Sequence, residues 1–180
     1  MYLQTDRLII RKFKEVDFSD FCEFTMDEEM CRMMGRDLIT DAESARPTFE
    51  WLMNKEERGY VLEYKENHKV IGNLTVGSVP PHVLELPKVQ GKNGCALSFS
   101  MSRLYQRRGL MYEAVNGVIQ QLFREGMDYI NCGYFDFNIA SEKLHKKLGF
   151  KYLMKECFPV DGEQITAVEC ILWREEAGNV

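Results

Sequence analysis

No long apolar run occurs anywhere in this chain. Its apolar stretches last a few residues, far short of the roughly 20 that a membrane-spanning helix needs, so no transmembrane span and no membrane partner are expected. The opening residues, Met1-Tyr2-Leu3-Gln4-Thr5-Asp6-Arg7, lack a basic stretch followed by an apolar core, so a cytoplasmic location is expected rather than a secretory leader. None of the six cysteines (Cys22, Cys31, Cys95, Cys132, Cys157, Cys170) forms a Cys-x-x-Cys pair, and most lie within apolar patterns. They read as reduced, buried small hydrophobes. The three histidines, His68, His82 and His145, are far apart and show no ligand spacing, which predicts no metal. Surplus basic charge is missing too: 23 Lys and Arg face 28 Asp and Glu, a net charge of −5 that argues against nucleic acid as the main partner. Neither Gly-x-x-x-x-Gly-Lys-Ser/Thr nor Gly-x-Gly-x-x-Gly is found, which disfavours the common nucleotide-binding loops. No Ser-His-Asp or Cys-His constellation stands out, and no internal repeat or low-complexity tract appears.

What remains is the composition of a folded domain. The 180 residues are 45% hydrophobic and 28% charged, which suits one soluble domain over 1–180 with a sizeable core. Residues 8–13 read as a first strand, and Asp17 as the cap of a helix carrying Phe18, Phe21 and Cys22. The poorly patterned stretch 26–36 is expected to hold the end of that helix and a loop. Thr40 and Glu43 fit a capping box before a helix with Ala45, Phe49, Leu52 and Met53, although Pro47 is expected to delay its start. Residues 60–64 and 70–76 read as a hairpin, with His68 in its turn. Between 77 and 94, Pro80, Pro81, Pro87, Gly91 and Gly94 exclude a central strand. That segment is a long loop or an interrupted hairpin, either a binding loop or an exposed connection. Strands at 95–101 and 129–135 flank a helix over about 110–125. A further helix follows Asn138, with Ile139, Leu144 and Leu148 as its apolar stripe and Gly149 at its end. Strands 150–158 and 165–173 close the chain through a turn at Asp161 and Gly162, and 175–180 read as a frayed tail. Hairpins first, strand–helix–strand units afterwards, predict an α+β domain with a mixed, mainly antiparallel sheet flanked by helices.

The stretch Tyr105-Gln106-Arg107-Arg108-Gly109-Leu110-Met111-Tyr112-Glu113-Ala114 has the most chemical content. Met111, Ala114, Val115, Val118, Ile119, Leu122 and Phe123 recur at helical spacing as one apolar face, and Gly126 is placed to stop the helix. The amides at such a helix start have no intrahelical acceptor, and the helix dipole favours an anion there. Gly109, without a Cβ, permits close backbone approach by a ligand. Arg107 and Arg108 supply donors suited to phosphate oxygens. The plainer alternative is an ordinary core helix preceded by two solvated arginines. Basic charge also gathers at Arg103 and at Lys143, Lys146 and Lys147, either as a solvated face or as attraction for a multiply charged anion.

Gln106-x-x-Gly109-x-Met111 resembles the acetyl-CoA signature of the GNAT acetyltransferases: Gln or Arg, two residues, Gly, one residue, then Gly or Ala. Met111 departs at the last position. Glu113-Ala114 is similar to the pair that follows the signature in the branch of ribosomal-protein N-terminal acetyltransferases. Thr5-Asp6-Arg7-Leu8-Ile9-Ile10-Arg11 with Asp17, and Asn138-Ile139-Ala140-Ser141 running to Leu148-Gly149-Phe150, resemble that branch as well. The resemblance implies a six- or seven-stranded acyl-CoA N-acyltransferase fold whose fourth and fifth strands splay apart to admit CoA. It implies that backbone groups of Phe99 and Met101 align the pantetheine arm, and that Gln106, Arg107, Arg108, Gly109, Leu110 and Met111 hold the diphosphate. It implies that Asn138 contacts the pantetheine or substrate region, and that Ser141 hydrogen-bonds the CoA sulfur and donates to the departing thiolate. Both also read as helix-capping residues, and capping is compatible with ligand contact.

The expected activity is direct acetyl transfer from acetyl-CoA to a primary amine, of a protein N-terminus or a small molecule. The alternative is a catalytically weak or inactive CoA-binding sensor or interaction module. Relatives in the branch often carry Glu at the position of Ala96, which here has no proton-accepting group. Glu85, Asp136 or water are the substitutes that sequence offers. A homodimer is a further expectation from similar proteins.

Overall fold

The computed structural model describes residues 1–54, 59–160 and 163–177. In chain order its elements are β1 (Leu3–Gln4), β2 (Leu8–Lys12), α1 (Phe18–Thr25), α2 (Glu28–Met33), α3 (Ala42–Asn54), β3 (Gly59–Tyr64), β4 (Lys69–Gly77), α4 (Pro81–Leu84), β5 (Gly94–Met101), α5 (Leu110–Arg124), β6 (Tyr129–Phe135), α6 (Ile139–Lys147), β7 (Lys151–Val160) and β8 (Glu163–Trp173). Short 3-10 turns occur at Glu15–Asp17, Pro87–Val89 and Arg103–Tyr105. The class is α+β with a mixed sheet, as expected. The added strand is the two-residue β1, which pairs with β2. The turn expected at Asp161 and Gly162 lies outside the described residues, as do residues 178–180 of the expected tail.

The chain divides into two compact units, residues 1–76 with 99–117, and residues 77–98 with 118–180. β5 and α5 each contribute residues to both. In the first unit β1, β2, β3 and β4 pair antiparallel in that order. Its core is aromatic: Phe13, Phe21, Phe24 and Phe49 are buried. Phe13 and Phe49 meet edge to face at 5.6 Å, as do Phe21 and Phe24 at 5.4 Å. Such contacts add to the burial of large apolar area.

Several local expectations for this unit are corrected. Asp17 does not cap α1 with its side chain. Its carboxylate turns inward to Arg11, at 2.8 Å from each terminal guanidinium nitrogen, and accepts the Lys14 amide at 2.8 Å. Stretch 26–36 contains α2, capped by Asp27, whose carboxylate accepts the Met30 amide. Met30 and Cys31 bury one face of that short helix. The start of α3 is held by Asp41, which accepts the Ser44 amide at 2.8 Å, rather than by Thr40 and Glu43. Pro47 lies inside α3 without delaying it. Its fixed φ suits a helix, and the missing donor removes one intrahelical bond. His68 is a turn residue as expected, with φ 57°.

In the second unit the strand order is β5, β6, β8, β7. β5 and β6 are parallel, and the other pairs antiparallel. Tyr129 is fully buried among Val79, Val83, Val89 and Ile171. Stretch 77–94 is not a bare loop, since α4 and a 3-10 turn seat Val83 and Val89 in this core. Of the cysteines, Cys31, Cys95, Cys132 and Cys170 are buried, Cys22 is half-buried and Cys157 is exposed.

Candidate functional site

The anion-binding turn belongs wholly to the first unit. After β5 the chain makes the Arg103–Tyr105 turn, and the Gln106 side chain donates back to the Met101 carbonyl at 2.9 Å. Gln106 is thus an anchor of the turn, and the Met101 carbonyl is already engaged. Arg107 and Gly109 both adopt positive φ, 62° and 78°. Backbone that alternates across the left-handed region turns successive amides toward one side, a concavity suited to an anion. For Gly109 this conformation costs little, whereas any side chain would be strained there. Its carbonyl accepts the Glu113 amide at 3.0 Å, so α5 starts at this glycine with the amides of Leu110 and Met111 leading.

Arg7 clamps this turn. Its Nη1 donates to the Arg108 carbonyl at 2.9 Å, and its Nε to Glu113 at 2.7 Å. The Arg7 amide and the Thr5 hydroxyl donate to the other Glu113 oxygen, at 2.8 and 2.5 Å. Sequence reading quoted Thr5, Arg7 and Glu113 but assigned them no role. Burial raises the Glu113 carboxyl, yet the hydrogen bonds from Thr5 and Arg7 outweigh it and hold the group below the ordinary carboxylate range. Such a group stabilises the fold above its unfolded value, and that contribution is lost as pH falls through its folded value. Glu113→Gln removes the charge for which three donors converge. Because Arg7 is 44% exposed, the expected stability loss is modest, about 1 kcal/mol. The larger effect falls on the turn, as an about tenfold weaker hold on a diphosphate-bearing ligand, measured by calorimetry. An unchanged affinity would remove the clamp from the binding argument.

The arginines fare unequally. Arg103 is drawn to Asp27 at 3.0 Å and Glu29 at 3.9 Å, so its charge is partly compensated within the unit. Arg107 and Arg108 are exposed, and the Arg108 guanidinium lies 5.3 Å from the Tyr105 ring centre. Phe99, at the end of β5, is half-buried.

The second unit holds Asn138 and Ser141 at the head of α6. The Asn138 amide donates to the Phe135 carbonyl at 2.7 Å, and its side-chain oxygen accepts the Ser141 amide at 3.0 Å, the expected cap. His145 is 1% exposed, set between Tyr134 and Phe150 with ring centres 4.9 and 5.3 Å away. Burial pushes its pKa down, more than a hydrogen bond to Ser141 raises it, so the ring is neutral at pH 7. Its Nδ1 is 2.8 Å from the Ser141 carbonyl oxygen and 3.3 Å from the Ser141 hydroxyl. A carbonyl only accepts, so Nδ1 carries the hydrogen. Towards that nitrogen the Ser141 oxygen can only accept, which leaves its own hydrogen available for another acceptor. Lys146 is paired with Glu142 at 2.5 Å.

Ala96 pairs in register with Asn131 and carries only a methyl. Glu85 and Asp136 are both exposed. Sequence reading passed over Glu169, 9% exposed in the middle of apolar β8, where Asn131 donates to it at 2.8 Å. A charged residue inside a strand pattern was the available signal, because buried carboxylates are rare and need partners. Among the described residues no His, Cys, Asp and Glu grouping could hold a metal ion, and no helix is long and apolar enough to cross a membrane.

The family model for the acetyltransferase (GNAT) domain matches residues 7–151. The uncharacterised N-acetyltransferase YnaD of Bacillus subtilis is 22% identical over 166 residues, 91% of each chain. A GNAT-family acetyltransferase from Bacillus anthracis superposes with a TM-score of 0.84 at 18% identity, covering 98% of this chain and 100% of that one. A ribosomal-protein-S5-alanine acetyltransferase from Vibrio fischeri gives 0.73 at 16% identity, covering 98% of each. At these identities the structural likenesses speak for the fold.

Proposed function

Because this chain belongs to the GNAT acetyltransferase family, a family of transferase enzymes, we propose that it moves the acetyl group of acetyl-CoA directly onto a primary amine. The acceptor is a protein N-terminus or a small-molecule amine. The observation that carries this reading is the clamped turn, with left-handed residues at Arg107 and Gly109 just before the N-terminus of α5, where a helix start directs its amides outward. CoA carries a diphosphate for those amides and for the exposed Arg107 and Arg108. Ser141 offers a hydroxyl hydrogen for the CoA sulfur, and Asn138 holds the head of α6 on which that hydroxyl sits.

Transfer asks for a placed thioester, a neutral amine and a stabilised leaving thiolate. The amine attacks the carbonyl carbon itself, so no covalent enzyme intermediate is needed. The Ser141 hydroxyl donates to the thiolate as the C–S bond breaks. A second reading, a CoA-binding module without turnover, draws on Ala96, whose methyl cannot take the amine's proton.

The test incubates the protein with labelled acetyl-CoA and a panel of diamines, amino acids, aminoglycosides and N-terminal peptides, following product by mass. The expected result is one acetyl group added to an amine of one acceptor class. CoA binding without product across the panel would establish the second reading in place of the first.

A further inference from the structure

We propose that Glu169 is the general base of this transfer, taking the proton of the acceptor ammonium beside Gly133, where β6 parts from β5. The role presupposes acetyl transfer to an amine. β5 and β6 pair from Gly94↔Tyr129 to Leu97↔Cys132. Through that stretch β6 is buried at every residue from Tyr129 to Cys132. At the next step both strands emerge, and Ser98 and Gly133 are exposed. The sheet therefore opens just past the last pair.

Glu169 stands on the next strand beyond β6, with its carboxylate over Gly133. It pairs with Gly133 in the β6–β8 register. A Cβ built on Gly133 would come 3.1 Å from one Glu169 carboxylate oxygen and 3.2 Å from the other. Glycine at 133 thus leaves uncovered the side of the carboxylate that any other residue would block. The far side is fixed: Oε2 accepts from the Asn131 side-chain Nδ2 at 2.8 Å, and the same Nδ2 of Asn131, a residue 2% exposed, donates also to the Cys170 carbonyl at 3.1 Å. One oxygen is held and Oε1 is turned toward His82, whose Nε2 is 3.8 Å away, beyond hydrogen-bond length. A base held in one orientation is organised before the substrate arrives.

The groups facing it come from each neighbouring element. His82 follows the first residue of α4, Glu156 is on β7 with an oxygen 3.1 Å from His82 Nε2, and Asn131 is on β6, while the thiols of Cys132 on β6 and Cys170 on β8 lie on the opposite face of the sheet, near enough to feel its charge. Burial holds the Cys132 thiol well up and pushes Cys170 to about 11, so both stay neutral near pH 7. Two carboxylates with a histidine between them favour a cationic amine over an anionic acceptor. The register also answers Ala96. It is paired with Asn131, and Asn131 in turn holds Glu169, so a carboxylate reaches this level of the sheet from β8 instead of β5.

In the step, the ammonium gives one proton to Glu169, whose carboxylate becomes a carboxylic acid and later releases that proton to water. The freed nitrogen lone pair forms the N–C bond to the thioester carbonyl. The C–S bond breaks and its electron pair leaves with sulfur, which takes a proton from the Ser141 hydroxyl. The nitrogen's second proton is lost as the adduct collapses and restores Ser141 through water. One proton is released per amide formed.

The experiment measures kcat/KM against pH for the wild type, Glu169→Gln and Glu169→Asp, using the acceptor found in the panel. Melting and CoA affinity confirm that each variant folds. Glu169→Gln is expected to lose about 10²–10³-fold at pH 7 with unchanged acetyl-CoA KM. That loss should shrink as pH rises through the acceptor's own pKa, about 8 for a protein N-terminus and about 10.4 for a lysine-like amine, where the amine supplies its own neutral form. Glu169→Asp, which keeps a carboxylate and covers the case of a Gln variant that does not fold, should fall in between with the wild-type pH profile. A Gln variant within twofold of an active wild type, or a defect equal at every pH, overturns the base and leaves acetyl transfer standing. If Gln does not fold, an Asp variant as fast as the wild type, or one whose pH profile departs from it, overturns it equally. A wild type that acetylates no amine overturns both together.

Discussion

Arg11→Ala is expected to cost about 3–5 kcal/mol of folding stability, because it leaves two carboxylates buried without their cation. Asp17 is 3% and Glu63 12% exposed at the side chain, and Arg11 reaches them at 2.8 and 2.6 Å. The hydrogen bond to Asp17 raises the Arg11 guanidinium against burial, and the bond to Glu63 adds to it. In the variant Asp17 keeps the Lys14 amide, and Glu63 keeps the exposed His68 at 3.0 Å. Against a typical total of about 5–15 kcal/mol this is a large fraction. Thermal melting should fall by about 10 °C or more. Burial raises Glu63, but hydrogen bonds from His68 and Arg11 bring it below its ordinary value. That stabilisation is present above the unfolded carboxylate value and is lost as pH falls through the folded one, so the gap between variant and wild type should narrow in acid. Pairing Arg11→Met with Asp17→Asn should recover part of the loss, since fewer charges are stranded. A loss below about 1 kcal/mol in denaturant titration would show that these groups are hydrated rather than buried.

Ser141→Ala is expected to lower kcat about 10²-fold while leaving acetyl-CoA KM and melting temperature nearly unchanged. The split follows from the geometry. The cap of α6 uses the Ser141 amide, which donates to the Asn138 side-chain oxygen, and the substitution leaves that bond intact. What disappears is the hydroxyl, 3.3 Å from a His145 nitrogen that is already a donor. Asn138→Ala should differ in kind, since it removes the cap and costs about 1 kcal/mol of stability before any effect on ligand. Parallel kinetics and melting on both variants separate the roles. Unchanged turnover in Ser141→Ala would end its part as proton donor.

The elements read well from sequence are those whose pattern is long and local. β6 is found at the residues its apolar run indicated, and α5 runs from Leu110 to Arg124 under its apolar face. Its end is also local, with the Gly126 amide bonded to the Phe123 carbonyl and Met127 to Leu122. Asn138 caps α6 because a cap bond spans only three residues. α2 was missed because so short a helix shows little periodicity. Burial of Met30 and Cys31 holds it, and that requires partners distant in sequence. Thr40 was the expected cap of α3, and the backbone path gives that place to Asp41 instead.

The candidate site divides along the same line. The order Gln106, Arg107, Arg108, Gly109 at a helix start is enough to indicate an anion-binding turn, because the chemistry lies in adjacent backbone. That Arg7 and Thr5 clamp it through Glu113 was invisible, since those partners stand more than 100 positions apart and nothing in their spacing implies contact. Likewise Glu169 drew no notice within the apolar pattern of β8. Its place over Gly133 depends on the register of three strands, and a slip of one residue would turn that carboxylate to the other face. The sequence by itself determined periodicity, caps and the chemical character of the turn, because each is settled within a few residues of backbone. Tertiary structure alone decided which buried charges meet and which carboxylate stands over Gly133, because strand register and packing bring together residues that the chain keeps far apart.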